Sequence, residues 1–213
     1  MLKLIKDIPP SQIGGVALSG GVDSMALISF LNNHQQGNPT TAYFFHHGTT
    51  SSESAYQFLI DYCEAQNIPL EVGFLSADKH PRQSWEEFWR LERYAWLEEL
   101  AAEQGVYIAT AHHLNDLAET YVWGMAHGHP RYIHYIKPGG EGHIIRPLLL
   151  TPKKELYAWC DRHDVPYIED TSNQDISFTR NRIRHKIIPE MLEINPGFLK
   201  TVAKSWKDFF AHG

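Results

Sequence analysis

Residues 13–24 read Ile-Gly-Gly-Val-Ala-Leu-Ser-Gly-Gly-Val-Asp-Ser, and this stretch decides the fold. Its first half, Ile13–Leu18, is a short apolar run that predicts a buried strand, and the following Ser-Gly-Gly predicts a tight loop. Apolar residues at helical spacing over 25–31 predict a helix directly after that loop. A strand, a glycine loop and a helix in succession form the first unit of an alternating α/β domain.

The same alternation continues along the chain. Further strands are predicted at 41–46, 70–75, 106–110 and 144–145, and further helices at 54–66, 83–104, 115–126 and 151–163. This order predicts an α/β fold: a Rossmann-like, open, parallel five-stranded sheet with helices on both faces. After about residue 170 the alternation stops, and residues 196–210 predict a short helical C-terminal segment. Ligands on such sheets bind at the carboxyl ends of the strands.

Composition excludes several protein classes. A chain of 213 residues with 43% hydrophobic residues can bury a core, so disorder over the whole length is excluded. No apolar run approaches the ~20 residues of a membrane helix, and the first ten residues lack a signal-peptide layout. Two cysteines cannot by themselves build a four-cysteine zinc site or an iron–sulfur site. We therefore expect a cytoplasmic protein without a membrane partner.

The charge is negative overall but uneven. With 19 basic and 25 acidic residues, the net charge of −6 excludes an indiscriminate nucleic-acid binder. Four cations fall within seven residues, at Arg180, Arg182, Arg184 and Lys186. Arginines of this kind suit the phosphates of ATP or of an RNA backbone. The alternative interpretation is a solvated basic helix face.

The loop of residues 19–24 has the chemistry of a phosphate site. Two glycines allow backbone N–H groups to converge, and the following helix N-terminus favours an anion. The carboxylate of Asp23 fits beside a phosphate when a magnesium ion bridges the two. The alternative is a simple turn in which Ser and Asp cap the helix. The loop is not a Walker loop, because the lysine that would follow the last glycine is absent.

A second motif, residues 110–120, begins where the fourth predicted strand ends. His112, Asp116 and Glu119 share one face of the predicted helix. Asp116 could share a magnesium ion with Asp23 or orient it through water. A zinc site that uses the adjacent histidines at 112 and 113 is a weaker interpretation, since no further cluster of ligands is evident. The alternative is a capped helix with Asn115 as its cap.

Residues 19–24 resemble the PP-loop of the ATP pyrophosphatase superfamily. In order, residues 19–24, 110–120, 145–149 and 170–189 resemble the catalytic domain of the tRNA(Ile)-lysidine synthetase family, over roughly residues 10–190. The resemblance implies an adenine nucleotide alpha-hydrolase-like fold, with an ATP-activating domain at 1–185. It also implies that residues 186–213 are a helical extension of the same unit, without the family's usual C-terminal tRNA-binding domains.

The resemblance also implies the reaction and its residues. ATP would adenylate the wobble cytidine of a tRNA, free lysine would displace AMP, and pyrophosphate would leave with Mg²⁺. Catalysis would use Asp23, Asp116 and Arg180, with the metal at Asp23 and Asp116. The residues expected to bind ATP are Ser19, Gly20, Gly21, Val22, Asp23, Ser24, His46, His112 and Arg182. A homodimer is a further possible arrangement.

Departures from the family pattern leave alternatives open. The family's His-Gly-Leu-Arg loop reads His47-Gly48-Thr49-Thr50 here, and residues 126–137 lack its Gly-rich segment. One alternative is a PP-loop enzyme that activates a different acceptor, either a small-molecule carboxylate in an amide ligase or another RNA base. Among the latter, a thiolase is disfavoured by two distant cysteines. Another alternative is a non-catalytic nucleotide-binding module.

Overall fold

The computed structural model describes residues 2–5, 9–34, 40–75, 79, 83–139, 143–169 and 176–211. Within these ranges, five strands form one parallel sheet in the order β3-β2-β1-β4-β5. The strands are β1 (Ile13–Leu18), β2 (Thr41–His46), β3 (Leu70–Phe74), β4 (Tyr107–Ala109) and β5 (Ile144–Ile145). Because β1 lies between β2 and β4, the loop that follows it lies at the centre of the carboxyl edge.

Helices connect the strands and extend the chain beyond β5. They are α1 (Val22–His34), α2 (Thr50–Gln66), α3 (Trp85–Gln104), α4 (Leu114–Ala126), α5 (Lys153–Arg162), α6 (Thr179–Arg182), α7 (Ile188–Ile194) and α8 (Phe198–Ala211). A π-helical turn, Ile183–Ile187, joins α6 to α7. None of the described helices is long and apolar enough to cross a membrane.

The core has two parts because side chains alternate between the faces of a strand. On β2, Tyr43 packs with Leu97 of α3 in the smaller cluster. Its neighbour Phe44 belongs to the larger cluster, which contains Leu27 of α1 and Leu59 of α2. Helices therefore cover both faces of the sheet, as the sequence predicted.

The predicted parallel sheet of five strands is confirmed, and the bounds of β1, β2 and β5 agree with the structure. Helix α2 begins four residues before its predicted start at residue 54, because Thr49 and Ser52 form a reciprocal capping box. Residues 170–175, the start of the stretch 170–189 that carries part of the family resemblance, lie outside the described residues. Beyond them, α6 and the π turn begin in a stretch for which no element was predicted, and α7 lies within the helical extension expected at residues 186–213.

The contact between Gly15 and Tyr43 predicts a stability effect. A Cβ atom at Gly15 would lie 1.9 Å from Cε2 of Tyr43, so the ring fits only because no side chain is present. We expect Gly15→Ala to lower the free energy of unfolding by about 1–3 kcal/mol through overpacking. Urea denaturation measures this. Gly21→Ala is the control, since its Cβ would meet only Ser19 Oγ at 3.5 Å; equal loss in both variants would contradict the packing argument.

Candidate active site

The loop between β1 and α1 is held by its own hydroxyls. Ser24 Oγ donates to the Gly21 carbonyl at 3.0 Å and accepts from the Ser19 amide at 3.2 Å. Gly20 adopts a φ of +80°, which favours glycine, and its carbonyl accepts from the Ile168 amide at 2.9 Å. The chain after α5 therefore lies against the loop and fixes its conformation.

Asp23 lies in the first turn of α1 with its two carboxylate oxygens in different surroundings. Oδ2 is 3.5 Å from His113 Nε2 and 3.5 Å from Lys153 Nζ. Oδ1 is buried and has no hydrogen-bond partner among the described residues. A buried carboxylate oxygen without a partner is costly unless a cation or donor reaches it. Asp23 therefore presents one oxygen for a ligand.

His113 connects Asp23 to Asp116. It is the N-cap of α4: its Nδ1 accepts from the Asp116 amide at 3.4 Å, and Asp116 Oδ2 accepts from the His113 amide at 2.9 Å. Burial opposes the charge on His113, but Asp116 and Asp23 outweigh it and raise the pKa of the imidazole. Burial likewise opposes ionisation of Asp116, but His113, His112 and Arg180 hold the pKa of its carboxyl well below the usual range. Each shift therefore favours the charged form of its group.

Glu119, one turn further along α4, holds two arginines although its side chain is only 2% exposed. Arg180 Nε donates to Glu119 Oε2 at 2.7 Å, and Arg184 Nε donates to Oε1 at 2.6 Å. Arg180 Nη2 also donates to Asp116 Oδ1 at 3.0 Å. Basic and acidic side chains thus alternate from Asp23 to Arg184. We call these six residues, Asp23, His113, Asp116, Arg180, Glu119 and Arg184, the charge row.

The charge row changes the interpretation of the basic cluster, the four cations between residues 180 and 186. Arg180 and Arg184 pair with carboxylates of α4, whereas Arg182 is exposed. Arg180 remains half exposed, so it can still meet a substrate. The π turn carries Arg184, consistent with the frequent occurrence of π geometry at functional sites.

The two histidines expected to bind ATP both lie at the carboxyl edge. His46 ends β2, and its Nε2 is 3.2 Å from Glu53 Oε2. His112 follows β4, and its Nδ1 is 3.0 Å from Thr110 Oγ1. Burial lowers the pKa of His112 to about 3 against the opposing effect of Asp116, and the nearby Arg146 and Arg180 lower it further. His112 is therefore a neutral hydrogen-bonding group.

A cavity of about 420 Å³ lies beside the charge row. Its walls come from α3, α4 and the 178–183 segment, and they include Glu86, Glu119, Trp123, Phe178 and Arg180. A larger cavity, about 720 Å³, lies between the C-terminal ends of α1, α2 and α5, and no predicted site residue lines it. Of these two cavities, only the smaller one adjoins the charge row, through Glu119 and Arg180.

Sequence reasoning missed Lys153 and His113 as site residues. Lys153 was merely part of a predicted helix, and only the fold brings it to Asp23. His113 could have been found, since it stands three residues before Asp116, the spacing of a capping box. Asn115, considered as the cap of α4, instead accepts from the Lys153 amide at 3.0 Å. Among the described residues, no group of three metal-ligating side chains forms around Asp23 and Asp116.

Removing the Glu119 charge tests the charge row. Glu119→Gln leaves two arginines with one buried neutral partner, and we expect it to lower the free energy of unfolding by about 3 kcal/mol. Urea denaturation measures this loss. Glu99→Gln is the control, because Glu99 is an exposed carboxylate on α3. A Glu119→Gln variant as stable as the control would show that the row does not stabilise the fold.

The lowered pKa of His47 predicts that the protein becomes less stable as the pH falls. Burial, with Arg93 and His46, lowers the pKa of His47 from 6.5 to about 4. Because the unfolded chain binds this proton at higher pH, stability is lost as pH falls from 6.5 towards 4. We expect His47→Gln to show a smaller drop in Tm between about pH 7 and about pH 5 than the unmodified protein. The exposed His129→Gln should retain the full drop, and an unchanged drop in His47→Gln would refute the assignment.

Comparison with known sequences agrees with this geometry. The family model described as the PP-loop domain matches residues 1–191. The chain is 35% identical over 210 residues to the tRNA(Ile)-lysidine synthase of Lactiplantibacillus plantarum, covering 95% of this chain and 47% of that protein. It is 38% identical over 198 residues to the tRNA(Ile)-lysidine synthase of Thermosipho africanus, covering 89% and 46%. The chain thus spans about half the length of these curated relatives.

Solved structures show the same fold. The U34-tRNA thiolase NcsA from Methanococcus maripaludis, solved with its 4Fe-4S cluster, superposes with a TM-score of 0.76 at 16% identity, covering 93% of this chain and 72% of that chain. The NMN synthetase from Francisella tularensis gives a TM-score of 0.54 at 18% identity, covering 74% and 63%. The parallel sheet, the glycine loop at its central strand and the match over residues 1–191 lead to one conclusion: the chain belongs to the PP-loop domain family.

Proposed function

We propose that this chain is the ATP-activating part of an ATP-dependent carbon–nitrogen ligase that joins lysine to the wobble cytidine of a tRNA. One observation carries the proposal. The similarity to tRNA(Ile)-lysidine synthases covers 95% of this chain, and within it the charge row includes Asp23 of the loop at residues 19–24. ATP cleavage requires this loop to hold the phosphates. The acceptor, a tRNA cytidine, and the nucleophile, lysine, are inferred from the names of the related proteins.

Asp23 fits a magnesium ion. Oδ1 is buried and has no partner among the described residues, and carboxylate oxygens are preferred magnesium ligands. Bound Mg²⁺ would neutralise charge on the departing pyrophosphate. His113 and Lys153 contact the other oxygen, Oδ2, so Oδ1 is the oxygen left for the metal. We assign Asp23 as the protein ligand.

Asp116 supports this arrangement from a second position. Its Oδ2 accepts from the His113 amide, and its Oδ1 accepts from Arg180. With both oxygens engaged, Asp116 orients Asp23 through His113 in this arrangement, and direct binding of the metal requires Arg180 to move. Orienting Asp23 and binding the metal are both roles that would make Asp116 important for catalysis. Direct binding of the metal by Asp116 stays a prediction.

The reaction has two steps. The 2-oxo group of the cytidine forms a bond to the α-phosphorus of ATP, and the bond to the β-phosphate oxygen breaks. The lysine amine then bonds to the base, the bond to AMP breaks, and the amine gives up a proton. Backbone N–H groups of residues 19–24 would hold the phosphates, with His46 and His112 beside the nucleotide. Arg180 borders the cavity in which the acceptor would lie.

A single reaction tests the proposal. The purified protein is mixed with ATP, Mg²⁺, lysine and bulk tRNA, and the nucleosides are analysed by mass spectrometry. Lysidine is the expected product. Pyrophosphate release without a modified nucleoside would instead indicate another acceptor, such as a carboxylate in an amide ligase. The predicted homodimer and cytoplasmic location stay predictions.

Asp23→Asn is the critical variant. An amide oxygen carries no charge to hold the metal, so we expect pyrophosphate release to fall below detection while the Tm stays within a few degrees of the unmodified protein. A coupled pyrophosphate assay measures the release. Asp61→Asn, at an exposed aspartate on α2, is the matched control and should keep full activity. Unchanged turnover in Asp23→Asn would remove the metal assignment.

A further inference from the structure

The larger cavity, of about 720 Å³, takes no part in the reaction proposed above. Its walls come from the C-terminal halves of α1 and α2 and from the chain that follows α5. None of the six residues of the charge row lines it. Small organic ligands typically occupy cavities of roughly 300–1,000 Å³, so this cavity is large enough for such a ligand.

The walls of the larger cavity are negatively charged. The described residues that line it include no lysine or arginine, whereas Asp61 and Asp164 bring two carboxylates. The C-terminal ends of three helices also meet here, and such ends carry partial negative charge. Asp61 Oδ1 already accepts from Gln57 Nε2 at 3.1 Å. Asp164 forms neither a hydrogen bond nor an ion pair with the described residues, so its carboxylate is available to a cation.

The charge of Asp164 is unfavourable for α5. Asp164 has a φ of +50° and directly follows His163, the C-cap of the helix. A residue in this left-handed conformation at a helix end is most often glycine and sometimes asparagine, as at Asn67 after α2. A carboxylate here adds negative charge to a helix end that already carries partial negative charge. A cation bound in the cavity would compensate for this charge.

Tyr62 supplies a polar group in the same cavity. Its side chain is 9% exposed, and its hydroxyl forms no hydrogen bond with the part of the chain that the structure describes. A buried hydroxyl without a partner costs free energy, which a bond to a ligand would offset. Burial raises the pKa of Tyr62 to about 12, so the hydroxyl is uncharged at neutral pH. The Phe58 ring lies within 17° of parallel to the Tyr62 ring, with centroids 6.4 Å apart, and aromatic faces attract organic cations.

We propose that the larger cavity binds a linear aliphatic diamine or polyamine, with one ammonium group at the Asp164 carboxylate and another at the Tyr62 hydroxyl. The methylene chain would lie along Phe58 and Val165, which also line the cavity. A bare divalent ion fits less well because it needs several oxygen ligands. The described residues contain no group of three acidic, histidine or cysteine side chains that could hold one. This inference is independent of the proposed function, since the cavity is separate from the charge row.

Isothermal titration calorimetry at constant ionic strength tests the inference, with spermidine, putrescine and MgCl₂ as separate probes. The variants are Asp164→Asn and Tyr62→Phe. The matched control is Asp161→Asn, which removes an exposed carboxylate of α5 that does not line the cavity. Loss of a charge-assisted hydrogen bond should weaken spermidine binding roughly tenfold or more in Asp164→Asn, and asparagine accepts the left-handed conformation. Loss of a neutral partner should weaken it roughly threefold or more in Tyr62→Phe.

The comparison among variants and probes decides the outcome. We expect both amines to bind the unmodified protein and Asp161→Asn equally well, and MgCl₂ at the same concentration not to displace them. An unmodified protein that binds neither amine overturns the inference, and so does binding by Asp164→Asn at the unmodified level. Equal weakening in Asp161→Asn and Asp164→Asn also overturns it, because the amine would then respond only to the negative charge of the surface. Pyrophosphate release is measured separately, so each of these outcomes leaves the proposed function intact.

Discussion

The buried carboxylate of Glu119 is the constraint on which the rest of the site depends. A carboxylate that is 2% exposed requires compensating charge. Arg180 and Arg184 supply it, and both come from the segment that follows residue 175. Their pairing brings Arg180 against Asp116, which in turn holds His113 against Asp23. The PP-loop carboxylate and the C-terminal segment are thus parts of one electrostatic unit.

This arrangement changes the meaning of the chain's charge. The net charge of −6 includes a basic cluster that looked available for phosphates. Two of its arginines neutralise the acidic side chains of α4 instead. What remains exposed, Arg182 and Lys186, is a smaller basic surface beside the site. Contact with RNA would therefore combine this surface with the half-exposed Arg180 at the cavity wall.

The sequence predicted the sheet well because its signals are local. Short apolar runs bounded by glycine and proline mark β1 and β2, and their spacing requires helical crossovers between parallel strands. Helix starts were less accurate where they depend on side chains bonding to backbone, as at Thr49. The π turn at Ile183–Ile187 was not predicted, because periodicity within the segment does not encode ion pairs with a distant helix.

By itself, the sequence determined the α/β fold, the glycine loop after the first strand and the candidate residues Asp23, Asp116 and Arg180. The fold, the loop and these residues could be predicted because each is marked by a motif of residues that are close together in the sequence. Only the tertiary structure decided how the candidates are paired: His113 lies between Asp23 and Asp116, and Arg180 bonds to α4. It alone brought Lys153 to the loop. Apart from the local contact of His113 with Asp116, these pairings join residues more than sixty positions apart. They arise because parallel strands collect their carboxyl ends at one edge of the sheet.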